Sequence, residues 1–203
     1  MRIGIDLDNT IAGYDKVFRK AAIGMDLVSE AFAGGKAEIR EVVRRLEDGE
    51  TAWQRLQGQA YGKLMAEAEM IDGAGSFLDA CRQRGDRVFV ISHKTEFGHQ
   101  DRSRVNLRDA AWAWMETNGF FADDGFAIPR ANVHFEATRA DKVARIAALG
   151  CACYIDDLED VLLDNGFPKG VRRILLGRVG AAVDPRVESF ESWDAIAEAL
   201  FDA

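Results

Sequence analysis

Short apolar runs that end at a polar residue recur along this sequence, and they restrict the fold more than any other feature. Three of them stop before a side chain capable of chemistry: 3–5 before Asp6, 88–91 before Ser92, and 151–155 before Asp156. The run 174–176 is of the same kind, and 133–135 is a weaker example. Short runs that are apolar throughout are typical of parallel strands buried on both faces of a sheet.

Helical patterns separate these runs, and a glycine follows each helix. The segments are 75–84 before Gly85, 107–117 before Gly119, and 142–149 before Gly150. Strands alternating with helices of about ten residues predict an α/β fold with a doubly wound parallel sheet. Ligands of such sheets bind beyond the carboxyl ends of the strands, so Asp6, Ser92 and Asp156 form one candidate site.

Composition restricts the function as well as the fold. With 203 residues, the chain is long enough for one full-sized core and a small accessory lobe. A net charge of -8 argues against a nucleic acid polymer as partner, because surfaces that bind nucleic acid are usually basic. No apolar run approaches the roughly 20 residues of a membrane helix, and no signal-peptide pattern precedes the first run. We therefore expect a small-molecule ligand, no membrane partner and a cytoplasmic location.

The cysteines indicate a reducing compartment. Cys81, Cys151 and Cys153 are odd in number, and their spacing matches neither a zinc site nor a redox motif. We expect them to be free thiols that pack in the core.

The segment 14–71 interrupts the alternation, because it shows helical patterns and no candidate strand. Its expected helices are 15–32, 36–46 and 51–70. It can be an ordinary helical excursion of the fold, but an insertion directly after a functional strand end favours a cap above the site. The expected domains are a catalytic core, 1–13 plus 72–203, and a helical cap insertion, 14–71.

Two carboxylates, Asp6 and Asp8, stand two residues apart where the first predicted strand ends. A carboxylate in this place can attack phosphorus and form an aspartyl-phosphate, while a second carboxyl handles the proton of the leaving oxygen. The same pair could instead cap a turn or the next helix. A calcium-binding EF-hand loop starting at Asp6 is excluded, because it needs glycine where Ile11 stands and glutamate where Val17 stands.

Two further side chains could bind an anionic group at the same edge of the sheet. Ser92 offers a hydroxyl donor after the second strand, and Lys142 offers a compact cation that could also orient Asp6. Each has a simpler interpretation, which is a turn or helix cap for Ser92 and a surface position for Lys142.

Negative charge is concentrated after the third run, at Asp156 and Asp157, with Glu159, Asp160 and Asp164 following. Adjacent carboxylates repel one another unless a cation is present, and hard oxygen ligands suit Mg²⁺. The alternative is a solvated acidic helix start, which the helix dipole stabilises and which is the expected role of Glu159 and Asp164.

Together these segments resemble, in order, the four motifs of the haloacid dehalogenase-like superfamily of phosphatases and phosphotransferases. The matching segments are 3–10 (IGIDLDNT), 90–92 (VIS), Lys142, and 154–157 (YIDD) with Asp160 behind it. They span nearly the whole chain outside the segment 14–71 and the C-terminal helix. The resemblance implies a Rossmann-like core and a mobile helical cap that selects the substrate.

Carried over motif by motif, the resemblance implies that Asp6 is the nucleophile and that Asp8 is the general acid and then the base. Ser92 and Lys142 would bind the transferring phosphate. The Mg²⁺ ligands that it implies are an Asp6 oxygen, the Asp8 backbone carbonyl and a carboxylate from Asp157 or, as second choice, from Asp156.

The founding dehalogenases of this superfamily lack the second aspartate of the first motif, so Asp8 argues for phosphate chemistry. We expect hydrolysis of a small phosphorylated metabolite, a sugar phosphate or a nucleotide. A phosphomutase and a non-catalytic phosphate-binding module are the alternatives. His93 and Lys94, which follow Ser92, could contact a second phosphate or a sugar, or could be solvated loop residues. The oligomeric state is left open.

Overall fold

The computed structural model describes residues 1–101, 103–177 and 184–201, which form strands flanked by helices. In chain order the strands are β1 (Arg2–Ile5), β2 (Ala12–Gly13), β3 (Glu69–Met70), β4 (Arg87–His93), β5 (Val133–Glu136), β6 (Cys153–Asp156), β7 (Arg172–Leu176) and β8 (Val187–Phe190). The α-helices are α1 (Asp15–Gly24), α2 (Lys36–Arg44), α3 (Gly49–Gly58), α4 (Ala74–Gln83), α5 (Leu107–Thr117), α6 (Arg139–Leu149), α7 (Glu159–Leu162) and α8 (Trp193–Phe201).

The main sheet is parallel and has its first strand in the interior. Its strands pair in the order β5-β4-β1-β6-β7-β8, and every neighbouring pair is parallel. Strand numbers rise outward from β1 in both directions, which is the doubly wound arrangement. The α/β fold predicted from the apolar runs is confirmed. Because all six strands run the same way, their carboxyl ends meet at one edge of the sheet.

The edge strand β8 was not predicted from the sequence. Only Val187 of its four residues is buried, and polar residues interrupt it at Glu188 and Ser189. A strand at the edge of a sheet is covered less completely than an interior one, so it needs no continuous apolar run. The pattern that predicts interior strands therefore does not identify this one.

A buried core cluster combines residues of the main sheet with residues of α6 and α7. Helix α6 packs on β4 and β5, and α7 packs on β6 and β7. The buried cluster includes Phe89, Ile91, Val143, Ile146, Tyr154, Leu162 and Phe167. The thiols of Cys81, Cys151 and Cys153 are free and buried, and burial raises their pKa values to about 12, 11 and 12. Their predicted packing role is confirmed.

The described chain divides into two compact units. The first unit comprises Met1–Ala12, Met70–Lys94 and Gly119–Ala203, and it contains the main sheet. The second comprises Gly13–Glu69 and Thr95–Asn118, so the segment that carries α5 groups with the helical stretch near the N-terminus. The function of that stretch as a cap stays a prediction.

The second unit is helical and has its own aromatic core. The rings of Phe18 and Trp53 stack at 5.2 Å between centroids, and Tyr14 and Tyr61 meet edge to face at 4.8 Å. The ammonium group of Lys36 lies 5.5 Å from the ring centroids of both Phe18 and Tyr61. Stacked and edge-to-face rings of this kind contribute free energy beyond the apolar area that they bury.

Helix α2 of the second unit ends at Arg44, close to its predicted end at 46, but α1 and α3 end much earlier than predicted. Helix α1 ends at Gly24 rather than at 32, because Asp26 adopts a left-handed φ of 56° that a right-handed helix does not accommodate. Helix α3 ends at Gly58 and continues as a π-helical turn, Gln59–Lys63, before the short strand β3. The expectation that 14–71 contains no strand is wrong at Glu69. Among the described residues, no helix is long and apolar enough to cross a bilayer.

Candidate active site at the carboxyl ends of the strands

Three adjacent strands bring the predicted chemical side chains to one edge of the sheet. Asp6 follows β1, Ser92 lies near the end of β4, and Asp156 is the last residue of β6. Ile5 pairs with Val90 on one side and with Ile155 on the other, so Asp6 lies level with Asp156 and with Ile91, the residue before Ser92. The side chains of Asp6, Ser92 and Asp156 are all buried. Sheet topology thus joins three distant sequence positions.

Lys142 lies in the first turn of α6 and contacts two of these carboxylates. Its Nζ lies 2.7 Å from Asp6 Oδ1 and 2.7 Å from Asp156 Oδ2, and the residue is 2% exposed. The surface interpretation of this lysine is therefore wrong. Burial lowers the pKa of Lys142, but Asp6 and Asp156 oppose this and raise it above its ordinary value. The lysine is a permanent cation in the site.

The helix that carries Lys142 is placed by a side-chain cap. Thr138 precedes α6, and its Oγ1 accepts a hydrogen bond of 3.1 Å from the backbone N–H of Asp141. This contact satisfies one of the free N–H groups at the start of a helix and defines where the first turn begins. Lys142 is the fourth residue of the helix, so it lies in the turn that this cap stabilises.

The carboxyl group of Asp6 has an unusual pKa for an aspartate. Burial raises the pKa; the ammonium group of Lys142 lowers it, and the charges of Asp156 and Asp8 raise it further, to about 6. Burial disfavours the charged form, and like charges nearby add to that effect. Asp6 is therefore a carboxylate at neutral pH that is less stabilised than an exposed one.

Lys94 makes a second buried ion pair, with Asp8. Its Nζ lies 2.8 Å from one Asp8 oxygen and 3.1 Å from the other, and the residue is 3% exposed. The interpretation of Lys94 as a solvated loop residue is therefore wrong. Sequence reasoning also missed its partner, because the two residues are 86 positions apart and no local pattern connects them. His93, in contrast, is exposed, and its Nε2 lies 3.0 Å from the backbone oxygen of Ala137.

Asp6, Asp156 and Asp157 could hold a cation. Each offers a carboxylate oxygen, and these oxygens all lie within 4.8 Å of one another. Within residues 1–101, 103–177 and 184–201, no other three acidic, histidine or cysteine side chains converge in this way. Clustered carboxylates repel one another, and hard oxygen ligands suit Mg²⁺, so the donor set fits that ion.

The two aspartates after β6 differ in what they already bind. Asp156 is fully buried; its Oδ1 accepts from the backbone N–H of Leu158 at 2.9 Å, and its Oδ2 accepts from Lys142. Asp157 is partly exposed, and the Thr10 hydroxyl lies 3.5 Å from its Oδ1. Asp156 is thus buried with a protein donor at each oxygen, whereas Asp157 is partly open to solvent, and Asp157 stays the predicted metal ligand of the two.

Tyr154 packs beside the site residues, and sequence reasoning did not single it out. Its hydroxyl donates a 2.6 Å hydrogen bond to the backbone oxygen of Ile91, and its ring centroid lies 5.5 Å from Lys142 Nζ. The ring needs Gly4 on the adjacent strand, because a Cβ there would lie only 2.7 Å from Tyr154 Cδ2. The available sequence signal was its place two residues before Asp156, on the same face of β6.

Comparison with known proteins identifies the fold. No family profile and no curated protein sequence matches the chain. Protein Tyrosine Kinase A from Mycobacterium tuberculosis is similar in structure, with a TM-score of 0.61 and 17% identity over 98% of this chain and 97% of that one. A HAD family hydrolase from Deinococcus radiodurans, solved with bound phosphate and sodium, has a TM-score of 0.54 and 13% identity over 99% and 95% of the two chains. YfnB from Bacillus subtilis, solved bound to magnesium, has a TM-score of 0.57 and 11% identity over 98% of both.

These likenesses show a shared fold. They extend over nearly the full length of each chain and are not limited to the segments of the main sheet. The fold implied by the ordered motifs, that of the haloacid dehalogenase-like hydrolases, is thereby confirmed.

Proposed function

We propose that this chain, which has the fold of the haloacid dehalogenase-like hydrolases, is a Mg²⁺-dependent phosphomonoester hydrolase that acts through an aspartyl-phosphate on Asp6. The substrate class is a small phosphorylated metabolite, a sugar phosphate or a nucleotide. The observation that carries this proposal is the position of Asp6, paired with Lys142 at 2.7 Å and within 4.8 Å of carboxylate oxygens from Asp156 and Asp157. A buried carboxylate beside a cation and a metal-binding group suits attack on an anionic substrate.

In the first step, a carboxylate oxygen of Asp6 attacks phosphorus and the bond from phosphorus to the leaving oxygen breaks. Lys142 would bind the phosphoryl group together with the hydroxyl of Ser92, and the ammonium would offset charge on the phosphoryl oxygens. Asp8 would donate its proton to the leaving oxygen, so that an alcohol departs. The product of this step is an aspartyl-phosphate.

In the second step, water replaces Asp6 on phosphorus. Asp8, now a carboxylate, would remove a proton from the attacking water, and the Asp6 carboxylate would leave with the electrons of the phosphorus–oxygen bond. Phosphate is released, and the site returns to its first state because Asp8 has regained a proton. One carboxyl group thus serves as acid and as base in turn.

Mg²⁺ would be held by Asp6 and Asp157, together with the backbone carbonyl of Asp8 that the family resemblance implies. When bound, the ion neutralises charge where the carboxylate nucleophile meets the anionic phosphate, an effect worth several kcal/mol. Asp156 has a different role in this proposal, which is to hold Lys142 beside Asp6.

Hydrolysis of p-nitrophenyl phosphate, with Mg²⁺ and with EDTA, tests the proposal. We expect Mg²⁺-dependent phosphate release that Asp6→Asn abolishes while the circular dichroism spectrum is unchanged. Asp124→Asn is the matched control, because that side chain is exposed and lies outside the four motif segments, so its removal should leave the rate unchanged. Near-normal release by Asp6→Asn would exclude Asp6 as the nucleophile.

A panel of sugar phosphates and nucleotides, assayed in the same way, would identify the preferred substrate. Rearranged phosphate esters without free phosphate would indicate a phosphomutase instead. Saturable binding of these compounds with no turnover would indicate a phosphate-binding module.

A further inference from the structure

Lys94 is a buried cation, and its ammonium group faces both oxygens of one carboxylate. The distances to the two Asp8 oxygens are 2.8 and 3.1 Å, and the side chains of Lys94 and Asp8 are 2% and 16% exposed. Burying an ammonium group is costly unless a partner compensates the lost hydration. A contact with both oxygens also restricts rotation of the carboxyl plane, which a contact with one oxygen would leave free.

The backbone of Lys94 is also fixed, by a hydrogen bond to the neighbouring strand. Its N–H donates a 2.9 Å hydrogen bond to the backbone oxygen of Glu136, which extends the pairing of β4 with β5 by one residue beyond His93. The stem therefore starts from a sheet position, not from a free loop. A lysine fixed at its backbone and paired at its ammonium group holds that charge beside the carboxylate of Asp8.

We propose that Lys94 is a positioning residue that holds the Asp8 carboxyl group in the orientation needed for proton transfer. The inference rests on the proposed function, in which Asp8 passes a proton to the leaving oxygen as the bond from phosphorus to that oxygen breaks and the bond from Asp6 to phosphorus forms. A general acid must lie within hydrogen-bond reach of the atom that it protonates, and small errors of position lower the rate strongly. Lys94 acts through Asp8 and does not touch the substrate.

This role differs in a measurable way from a role in substrate binding. A lysine that bound a substrate phosphate would contribute whether or not Asp8 could transfer a proton. A lysine that acts through Asp8 contributes nothing once Asp8 has lost that ability. Residues that act as one unit are non-additive when both are removed, so a double-mutant cycle separates the two roles.

The substrates are p-nitrophenyl phosphate and the alkyl ester glycerol phosphate, assayed at saturating Mg²⁺. The alkyl oxygen needs a proton in order to leave, whereas nitrophenolate leaves without one. We expect Lys94→Met to lower kcat/KM for the alkyl ester by about 100-fold, and that for the aryl ester far less. Lys169→Met is the matched control, because Lys169 is an exposed lysine and its loss should change neither rate.

The cycle adds Asp8→Asn and the double variant. We expect the double variant to be no slower on the alkyl ester than Asp8→Asn alone, with KM unchanged by Lys94→Met. Multiplied losses in the double variant, or a raised KM with equal losses on both esters, would overturn the proposal in favour of substrate binding. If Lys94→Met does not fold, Lys94→Gln goes through the same cycle with the same two outcomes. The wild-type rate separately tests the proposed function, because an absence of phosphate release from both esters and from the panel of sugar phosphates and nucleotides would refute the hydrolase itself.

Discussion

Lys142 donates a hydrogen bond of 2.7 Å to Asp6, although 136 positions separate the two residues. The same ammonium group donates to Asp156, also at 2.7 Å, so one cation is shared by two buried carboxylates. These contacts join the start of α6 to the ends of β1 and β6. Removal of the cation would leave two like charges buried side by side, which is costly.

Replacement of Lys142 by methionine should therefore reduce both stability and activity. We expect the free energy of unfolding without metal to fall by about 3–5 kcal/mol, as when one partner of a buried ion pair is lost. Urea denaturation in EDTA measures this, and Lys169→Met, an exposed change, should stay within about 0.5 kcal/mol of the wild type. A Lys142→Met protein as stable as the wild type would show that the carboxylates do not depend on the lysine.

The carboxyl group of Asp6 should titrate near pH 6 in the metal-free protein. Burial and the neighbouring charges of Asp156 and Asp8 raise its pKa to about 6 from the ordinary value of 3.8, and Lys142 limits the rise. The ¹³C chemical shift of the labelled carboxyl group, followed by NMR in EDTA, measures this value. Saturating Mg²⁺ should lower the midpoint, because a bound cation favours the carboxylate form. A midpoint near 4 without metal would show that burial and the neighbouring carboxylates do not raise the pKa of Asp6.

Asp6→Asn should change how stability depends on pH. The folded-state pKa lies above the unfolded value, so the folded protein binds more protons between these values, and the stability that Asp6 contributes at low pH is lost as pH rises through about 6. The asparagine side chain does not titrate, so it adds no such pH dependence to the stability. We expect the stability of Asp6→Asn relative to the wild type to increase by about 1 kcal/mol between about pH 5 and pH 7, measured by urea denaturation in EDTA. The opposite sign would mean that Asp6 is stabilised as a carboxylate.

The two aspartates after β6 should respond differently to substitution. Asp157→Asn should raise the Mg²⁺ concentration for half-maximal activity by about 10-fold or more and leave metal-free stability nearly unchanged. Asp156→Asn should instead lower stability, because Asp156 accepts from Lys142 and from the backbone N–H of Leu158. Magnesium titrations of activity, paired with thermal melts in EDTA, distinguish these effects. A large loss of Mg²⁺ affinity in Asp156→Asn alone would exchange the two assignments.

Gly4→Ala should destabilise the sheet beneath the site. The added Cβ would lie 2.7 Å from Tyr154 Cδ2, and the Tyr154 ring is fully buried and tied to Ile91. We expect a loss of about 1–3 kcal/mol, as for other overpacked core positions. Gly75→Ala is the control, because its nearest neighbours would be 3.7 Å away and alanine favours the helix. Thermal denaturation should separate the two variants, with Gly75→Ala no less stable than the wild type.

The interior strands could be predicted from the sequence because each contains an uninterrupted run of buried apolar residues. The run 88–91 lies within β4, and the run 3–5 lies within β1. The edge strand β8 could not be, since partial cover allows polar residues at Glu188 and Ser189. The end of α1 was also missed, because it depends on the backbone conformation of Asp26 and not on the apolar pattern of the helix.

The polar residues at the strand ends, Asp6, Ser92 and Asp156, were determined by the sequence alone, since a strand end is a local boundary between apolar and polar residues. The candidate nucleophile and the candidate metal-binding carboxylates followed from that boundary. Only the tertiary structure decided which charges pair, because Lys94 meets Asp8 and Lys142 meets Asp6 across 86 and 136 positions. Such contacts depend on the order of strands in the sheet, which brings β1 between β4 and β6, and no periodicity along the chain encodes that order.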